Sequence, residues 1–252
     1  MRALSRTTRW SVFYRSLFIQ AGFNSEGLQS LGLLYALYPA LMELYPDSAQ
    51  QQEAARRHLS TFNTHPYAAA AIIGGVLFHE RRIADGEESA EEVSRFKQAL
   101  MGPLAALGDG FFWLSLKPAC GAVAVASIPW LGAGSALLFL ALSNAVHLTA
   151  RAYLFNLGLR SGEAMVEQLA RLDIPWWSEK LRQVAAAGAG GLAAFLAIQY
   201  GAQQGGLGAP LLAGGCLSFG VLAWVLVSRA RLSPYLMLYS AALFSGVLGA
   251  LL

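Results

Sequence analysis

Eight polar side chains in this sequence stand directly beside apolar runs: Gln20, Asn24, Glu26, Gln29, Asn63, His65, Asp109 and Lys117. An ionisable group near the centre of a bilayer costs about 2.5 to 3.5 kcal/mol even on a mild insertion scale, so a persistent one is a functional candidate by default. If these groups are interfacial, that argument lapses. Their types suit a polyhydroxylated ligand such as a sugar. Amides and carboxylates hydrogen-bond hydroxyls, and an aromatic face such as Phe23 or Trp113 packs on the C–H surface of a ring. Spacing adds a second clue: Phe23, Asn24 and Gln29 lie near the start of one apolar helix, and Asn63 and His65 at a proline break before another. A fold that joins the two breaks would make a small polar pocket in an apolar surround, with Asn24 and Asn63 as the hydroxyl-binding groups.

Plainer readings stand beside these. Asn63 could cap a helix end, His65 could be a structural histidine, and Asp109 could cap a helix starting at Gly110. Asp109 and Lys117 are structural or gating candidates, and Arg56 and Arg57 suit a solvated or lipid-headgroup face. There is no nucleotide-binding loop, no HExxH, no CxxC and no nucleophile elbow, so a membrane-embedded enzyme using Asp109 and His65 lacks an accompanying nucleophile or metal set. His58, His65, His79 and His147 are possible phosphoryl acceptors, but none lies in a Gly-rich nest of backbone N–H groups that would stabilise a phosphohistidine. No catalytic residue, metal or cofactor is expected. Cys120 and Cys216 sit inside apolar runs and read as buried small hydrophobes.

The elements that must position these residues are membrane-like. Of 252 residues, 56% are hydrophobic and only 13% charged, about half the charged share of an average soluble domain. Every acidic residue lies at or before Glu179, and beyond Arg182 only Arg229 and Arg231 are basic. The Arg residues form no aromatic-interleaved patch, so the net charge of +3 reads as membrane-flanking and not as a nucleic-acid surface. Met1 to Arg15 has no continuous apolar stretch of signal-peptide type, so insertion is expected to rely on internal segments.

The fold class is an all-α integral membrane protein. Residues 2–20 suit an amphipathic helix lying in the interface or docking on its own core. A second helix covers 27–45, with Pro39 expected to kink or break it, and a third, capped by Asp47 or Ser48, covers Ala49 to Phe62. Tyr67 to Phe78 has re-entrant or protein-buried length, Glu80 to Lys97 reads as a solvated segment containing a Glu87–Gln98 helix, and Phe111–Leu148 as two apolar helices broken near Pro129. Arg151, Arg160, Arg171, Lys180 and Arg182 then lie on a more polar connector. Three spans follow, Val184–Tyr200, Pro210–Ser228 and Pro234–Leu252. The basic stretches at Lys180–Arg182 and Arg229–Arg231 place the 201–209 loop and the C-terminus outside. The chain divides into interfacial helices and first motif (1–46), a motif core with solvated segment 80–98 (47–113), broken apolar helices with connector (114–182) and the spans (183–252).

Three long segments resemble the signatures of the IID subunit of the mannose/fructose/sorbose family of bacterial sugar phosphotransferase systems. They are Phe23-Asn24-Ser25-Glu26-Gly27-Leu28-Gln29-Ser30-Leu31-Gly32, Arg57 through Tyr67 with Asn63-Thr64-His65-Pro66, and Lys97 through Trp113 with Met101-Gly102-Pro103-Leu104-Ala105. The similarity spans nearly the whole chain. It departs where many members have Trp for Phe23, a basic residue for Gly27, Gly for Ala106, and a longer insertion than Gly201–Ala209. The resemblance implies a multi-pass subunit of a bacterial inner membrane. It would pair obligately with a IIC subunit, in a higher oligomer of such pairs, to import a hexose or amino-sugar. A separate IIA/IIB protein would phosphorylate the sugar, so the subunit itself would be non-catalytic. Phe23, Asn24, Glu26, Gln29, Asn63 and His65 are then the sugar-binding candidates. A degenerate relative acting as a scaffold or regulator without transport is the alternative.

Overall fold

The computed structural model describes residues 3–204. The chain divides into two compact units, Met1–Ala185 and Ala186–Leu252, and the first holds the candidate site. Among the described residues all regular structure is helical, and two isolated bridges, Asn24 with Leu28 and Leu28 with Phe62, supply the β pairing.

Helix α1 (Arg6–Ser16) is capped by Ser5, whose Oγ accepts from the Thr8 N–H at 3.1 Å, while the Ser5 N–H donates to Glu43 of the next helix at 2.6 Å. Val12 and Ile19 are buried, and Trp10, Tyr14 and Phe18 remain exposed beside Arg6 and Arg9, a face suited to a membrane interface. Helix α2 (Ser30–Leu44) runs on through Pro39, so the expected break does not occur. Proline removes one N–H from the helical ladder and frees the carbonyl four residues earlier. That carbonyl, on Tyr35, accepts instead from Arg15 Nη1 at 3.3 Å, and the guanidinium lies 4.7 Å from the Tyr35 ring centroid.

Helix α3 (Ser48–His58) is N-capped by Asp47, which accepts from the Gln50 N–H. It ends at His58 and not at Phe62, because the backbone of Phe62 is committed to the Gly27–Gln29 loop. Helix α4 (Ala69–Ala84) is the buried centre, enclosed from Ala69 through Leu77. Its main neighbour is α8 (Gly134–Ser161). The two backbones approach so closely that a Cβ on Gly74 would strike the Phe155 carbonyl and one on Gly158 the Ala71 carbonyl.

Helix α5 (Ala90–Gly108), a π-helical stretch (Asp109–Leu116) and α6 (Lys117–Ala126) form one uninterrupted rod. The rod therefore runs unbroken through the Gly- and Pro-containing third motif. A wider π turn lets a rod absorb Pro118 just beyond it, and the Ser115 hydroxyl donates to the Gly110 carbonyl at 2.7 Å inside that stretch. The chain turns back through α7 (Ile128–Leu131) and Gly132, whose φ is +51°, so the break falls beside Pro129 as read from sequence. Ala90–Ala126 and Gly134–Ala170 are long and apolar enough to cross a membrane.

After a 3₁₀ turn (Gly162–Ala164) come α9 (Met165–Ala170) and α10 (Ile174–Gln204). Arg151 and Arg160, expected on a polar connector, lie inside α8 because that helix continues to Ser161. Cys120 is buried with a free thiol. The expected spans Pro210–Ser228 and Pro234–Leu252, with Cys216, Arg229 and Arg231, lie outside the described residues, as does the 201–209 loop beyond Gln204.

The close α4–α8 approach gives a paired prediction. Gly158→Ala forces two backbones apart and should cost about 1 to 3 kcal/mol, as overpacking does. Gly121→Ala, with open space around its position, should be neutral or stabilise by up to about 1 kcal/mol. Thermal unfolding of the detergent-solubilised variants reads the contrast; equal melting temperatures would mean the helices do not meet at Gly158.

Candidate functional site

A buried ionic network holds the second motif in place. Glu80, near the end of α4, is fully enclosed at 0% exposure. Its carboxylate accepts two bonds from Arg57, Nε to Oε1 and Nη2 to Oε2, both at 2.8 Å. His58 Nε2 lies 2.9 Å from Oε1, and the Tyr45 hydroxyl donates to Oε2 at 2.7 Å. Lys97 of α5, at 3% exposure, donates to the Arg57 carbonyl at 2.7 Å and the Ser60 hydroxyl at 3.2 Å, with His58 Nδ1 3.5 Å away. One tautomer of a neutral His58 satisfies both neighbours: Nε2–H donates to Glu80 and Nδ1 accepts from Lys97. Burial would raise the Glu80 pKa, but the hydrogen bonds from Arg57 and His58 outweigh it and hold the carboxyl down to about 2. Burial lowers His58 despite the same carboxylate, and burial followed by the Glu80 charge pushes Tyr45 well above its usual value.

These contacts correct two expectations. Arg57 is not on a solvated face, although Arg56 is exposed. The segment 80–98 is not solvated at its ends, where Glu80, Val93, Phe96 and Lys97 are buried; Gly86, Glu87, Glu91 and Arg95 do face outward. His79 is also buried and pairs with Glu88 at 2.8 Å.

Beside the network the three motif segments meet at Thr64. The Gln29 side chain, 1% exposed, donates from Nε2 to the Thr64 carbonyl at 2.8 Å and accepts from the Thr64 N–H at 3.1 Å. The Thr64 hydroxyl donates to the Met101 carbonyl at 3.0 Å, and the Asn63 N–H points to the Met101 sulfur at 3.4 Å. Backbone bonds from Gln29 N to Phe62 O and from Phe62 N to Gly27 O, at 2.8 and 3.2 Å, align the first loop with the second. Asn24 folds the first loop on itself: its Oδ1 accepts from the N–H groups of Glu26 and Gly27, and its Nδ2 donates to Gly22 O. Leu28, at φ +56°, completes that turn. Phe23, Glu26 and Asn63 are left exposed on the rim, as is Gln20 on the approach to the loop.

His65 leads from this junction into an aromatic cage. Its ring stacks on Phe112 at 5.1 Å and meets Tyr67 and Trp113 edge-on, while Tyr67 stacks on His147 at 4.3 Å. Two cations cap the rings: Lys117 Nζ lies 3.4 Å from the Trp113 centroid, and the Arg151 guanidinium 4.6 Å from Tyr67. Gly108 is where the rod passes His65, and any Cβ there would collide with the imidazole. The His65 Nδ1 accepts from the Tyr67 N–H at 3.2 Å. Behind Gly108 and Phe112 lies a cavity of about 750 Å³, lined almost wholly by apolar groups such as Leu107, Tyr153 and Trp177.

The fold thus gathers Gln29, Asn63 and His65 at one junction, with Phe23, Asn24 and Glu26 on the loop paired to it, and places Lys117 in the adjoining cage. Asp109 is exposed within the rod and caps nothing, since the helix passes straight through it. Glu80, Tyr45, Lys97, Tyr67 and Arg151 were missed as parts of the site, and His147 was read only as a possible phosphoryl acceptor. Glu80 had a visible signal: it continues the Ile73–Leu77 face at helical three-to-four spacing.

These features define a class, an all-helical membrane protein with a polar junction of loops set against a π-wound helical rod. The chain belongs to the PTS system mannose/fructose/sorbose family IID component family, whose model matches residues 3–196. It is 34% identical over 170 residues to the fructose permease IID component of Bacillus subtilis (strain 168), covering 67% of this chain and 62% of the relative. It is 37% identical over 178 residues to the mannose-specific EIID component of Escherichia coli (strain K12), covering 67% and 60%. The chain thus spans about three-fifths of the length of these curated relatives. It is also similar to a chain of the cryo-EM structure of mannose transporter ManYZ with microcin E492, at 27% identity and a TM-score of 0.61, covering 99% of this chain and 97% of that one.

Two predictions follow from the network and the junction. Glu80→Gln leaves Arg57 and Lys97 buried without their counter-charge and should cost about 3 to 5 kcal/mol, whereas Gln29→Ala, which strands the Thr64 groups, should cost about 1 to 3 kcal/mol. Because the Glu80 pKa is depressed on folding, its contribution is complete above its ordinary value of 4.5 and drains away as pH falls towards 2. Wild-type melting temperature should therefore drop across that window, and Glu80→Gln should flatten the drop; an identical pH profile in the two proteins would show that Glu80 is not ionised in the fold.

Proposed function

We propose that the chain is the IID subunit of a phosphotransferase-system sugar permease. It forms, with a IIC subunit in a bacterial inner membrane, the path by which a hexose or amino-sugar enters while a separate IIA/IIB protein supplies the phosphate. The observation that carries this reading is the convergence of the three family motifs on Thr64, which turns segments far apart in sequence into one polar junction. The exposed rim residues Asn63, Glu26 and Phe23 offer an amide, a carboxylate and an aromatic face to the sugar. Asn24 and Gln29, whose amides are engaged within the loops, shape that rim, and His65 supports it from beneath.

The histidines support a division of labour in which this subunit never carries phosphate. His58 and His79 are fully enclosed and engaged by Glu80 and Glu88, and His65 is buried among rings. We read residues 1–252 as one functional membrane domain crossing the bilayer several times. The basic stretch at Lys180 and Arg182 faces the cytoplasm and the C-terminus lies outside.

Labelled-sugar uptake in cells co-expressing a IIC partner and a competent IIB tests the assignment, and absence of uptake for any hexose counts heavily against it. Within an active complex, Asn63→Ala should weaken sugar binding by about 5- to 150-fold, the loss of one hydrogen-bonding amide, while assembly is unchanged. Wild-type affinity in that variant would move the binding groups to the partner.

A further inference from the structure

The cage around Tyr67 holds two cations and no counter-charge. Among the described residues neither Lys117 nor Arg151 meets a carboxylate: Lys117 rests over Trp113 and Tyr67, and Arg151 over Tyr67 with one bond to the Pro66 carbonyl at 3.3 Å. Arg151 is 5% exposed and His65 2%, yet Arg151 Nε and His65 Nε2 are buried without a hydrogen-bond partner. The rest of the chain has no acidic side chain to offer, since none occurs after Glu179. Elsewhere the same protein neutralises its buried cations, with Glu80 set against Arg57 and Lys97.

We propose that Lys117 and Arg151 receive a carboxylate carried on a membrane helix of a second chain, the IIC-type partner; this rests on the functional reading above. Depth argues for a side chain over a lipid headgroup. Lys117, the partly exposed cation, lies about 14 Å of helix from the turn after Ala126, about half of a hydrocarbon core about 30 Å thick and beyond the reach of a lipid phosphate. Access is lateral: Trp113 and Leu114 are exposed on the rod beside the partly exposed Lys117. A carboxylate arriving beside Trp113 would take a charge-assisted bond from Lys117 Nζ, with the Arg151 guanidinium behind it over Tyr67 adding its field. An intramembrane ion pair of this kind fixes both register and choice of partner.

The test is co-purification of the co-expressed complex in detergent. Lys117→Gln should reduce recovery of the partner by about tenfold or more, Lys117→Arg should keep most of it, and Lys117→Glu should abolish it. One Asp→Lys or Glu→Lys change among the partner's intramembrane acids should then restore the Lys117→Glu complex, a rescue that a merely misfolded variant cannot show. Wild-type recovery in Lys117→Gln and Lys117→Glu, or failure of every such swap, overturns the proposal. So does native mass spectrometry in which Lys117→Gln loses a bound anionic lipid while keeping its partner. If wild type itself draws down no second chain, the functional reading falls and takes this inference with it; a complex insensitive to these changes defeats this inference alone.

Discussion

Glu80 is a single carboxylate that gathers the ends of three helices and, through Lys97, the flank of a fourth. A buried charge is tolerated only when its lone pairs are filled, and here Arg57, His58 and Tyr45 fill them. The groups around it come from different elements. Tyr45 ends α2, Arg57 and His58 end α3, and Lys97 ties the loop after α3 to α5 by donating to a backbone carbonyl and to Ser60. Without the carboxylate, two cations would sit in an apolar interior, and the loop from Leu59 to Pro66 would lose the point from which it departs.

That loop is the part of the molecule where the three family motifs meet. Its backbone runs beside the Asn24–Gln29 turn, its Thr64 joins that turn to the long rod, and its His65 enters the aromatic cage. The amides divide by geometry. Those of Asn24 and Gln29 are consumed in building the junction, whereas Asn63 presents its side chain outward from a backbone pinned by its neighbours. A side chain held this way is pre-organised for whatever it meets, because the ordering of the chain has been completed on folding.

The two charge clusters also divide the molecule by what each leaves undone. Around Glu80 every charge is answered from within the chain, so the cluster is closed and structural. Around Tyr67 the cations lean on ring faces, which soften but do not cancel a charge in a medium of low dielectric. Close α4–α8 packing through Gly74 and Gly158 holds Arg151 against the loop, so the open cluster is rigid as well as unbalanced.

Much of this was legible in the amino-acid sequence because it depends on local chemistry. The scarcity of charge marks a membrane protein, Asp47 caps its helix, Pro129 and Gly132 turn the hairpin, and the three motifs single out Asn24, Gln29, Asn63 and His65. What the sequence could not decide is where a helix breaker is overruled and where a charge goes. Pro39 and Pro103 sit within unbroken helices: Arg15 satisfies the carbonyl that Pro39 frees, and the rod around Pro103 is held by tertiary contacts that local propensity does not encode. Glu80, Arg57 and Lys97 read as solvated because charged residues in a charged segment usually are. They are buried because donors and acceptors up to forty positions apart are brought within 3 Å of one another, and that proximity exists only once the helices have packed.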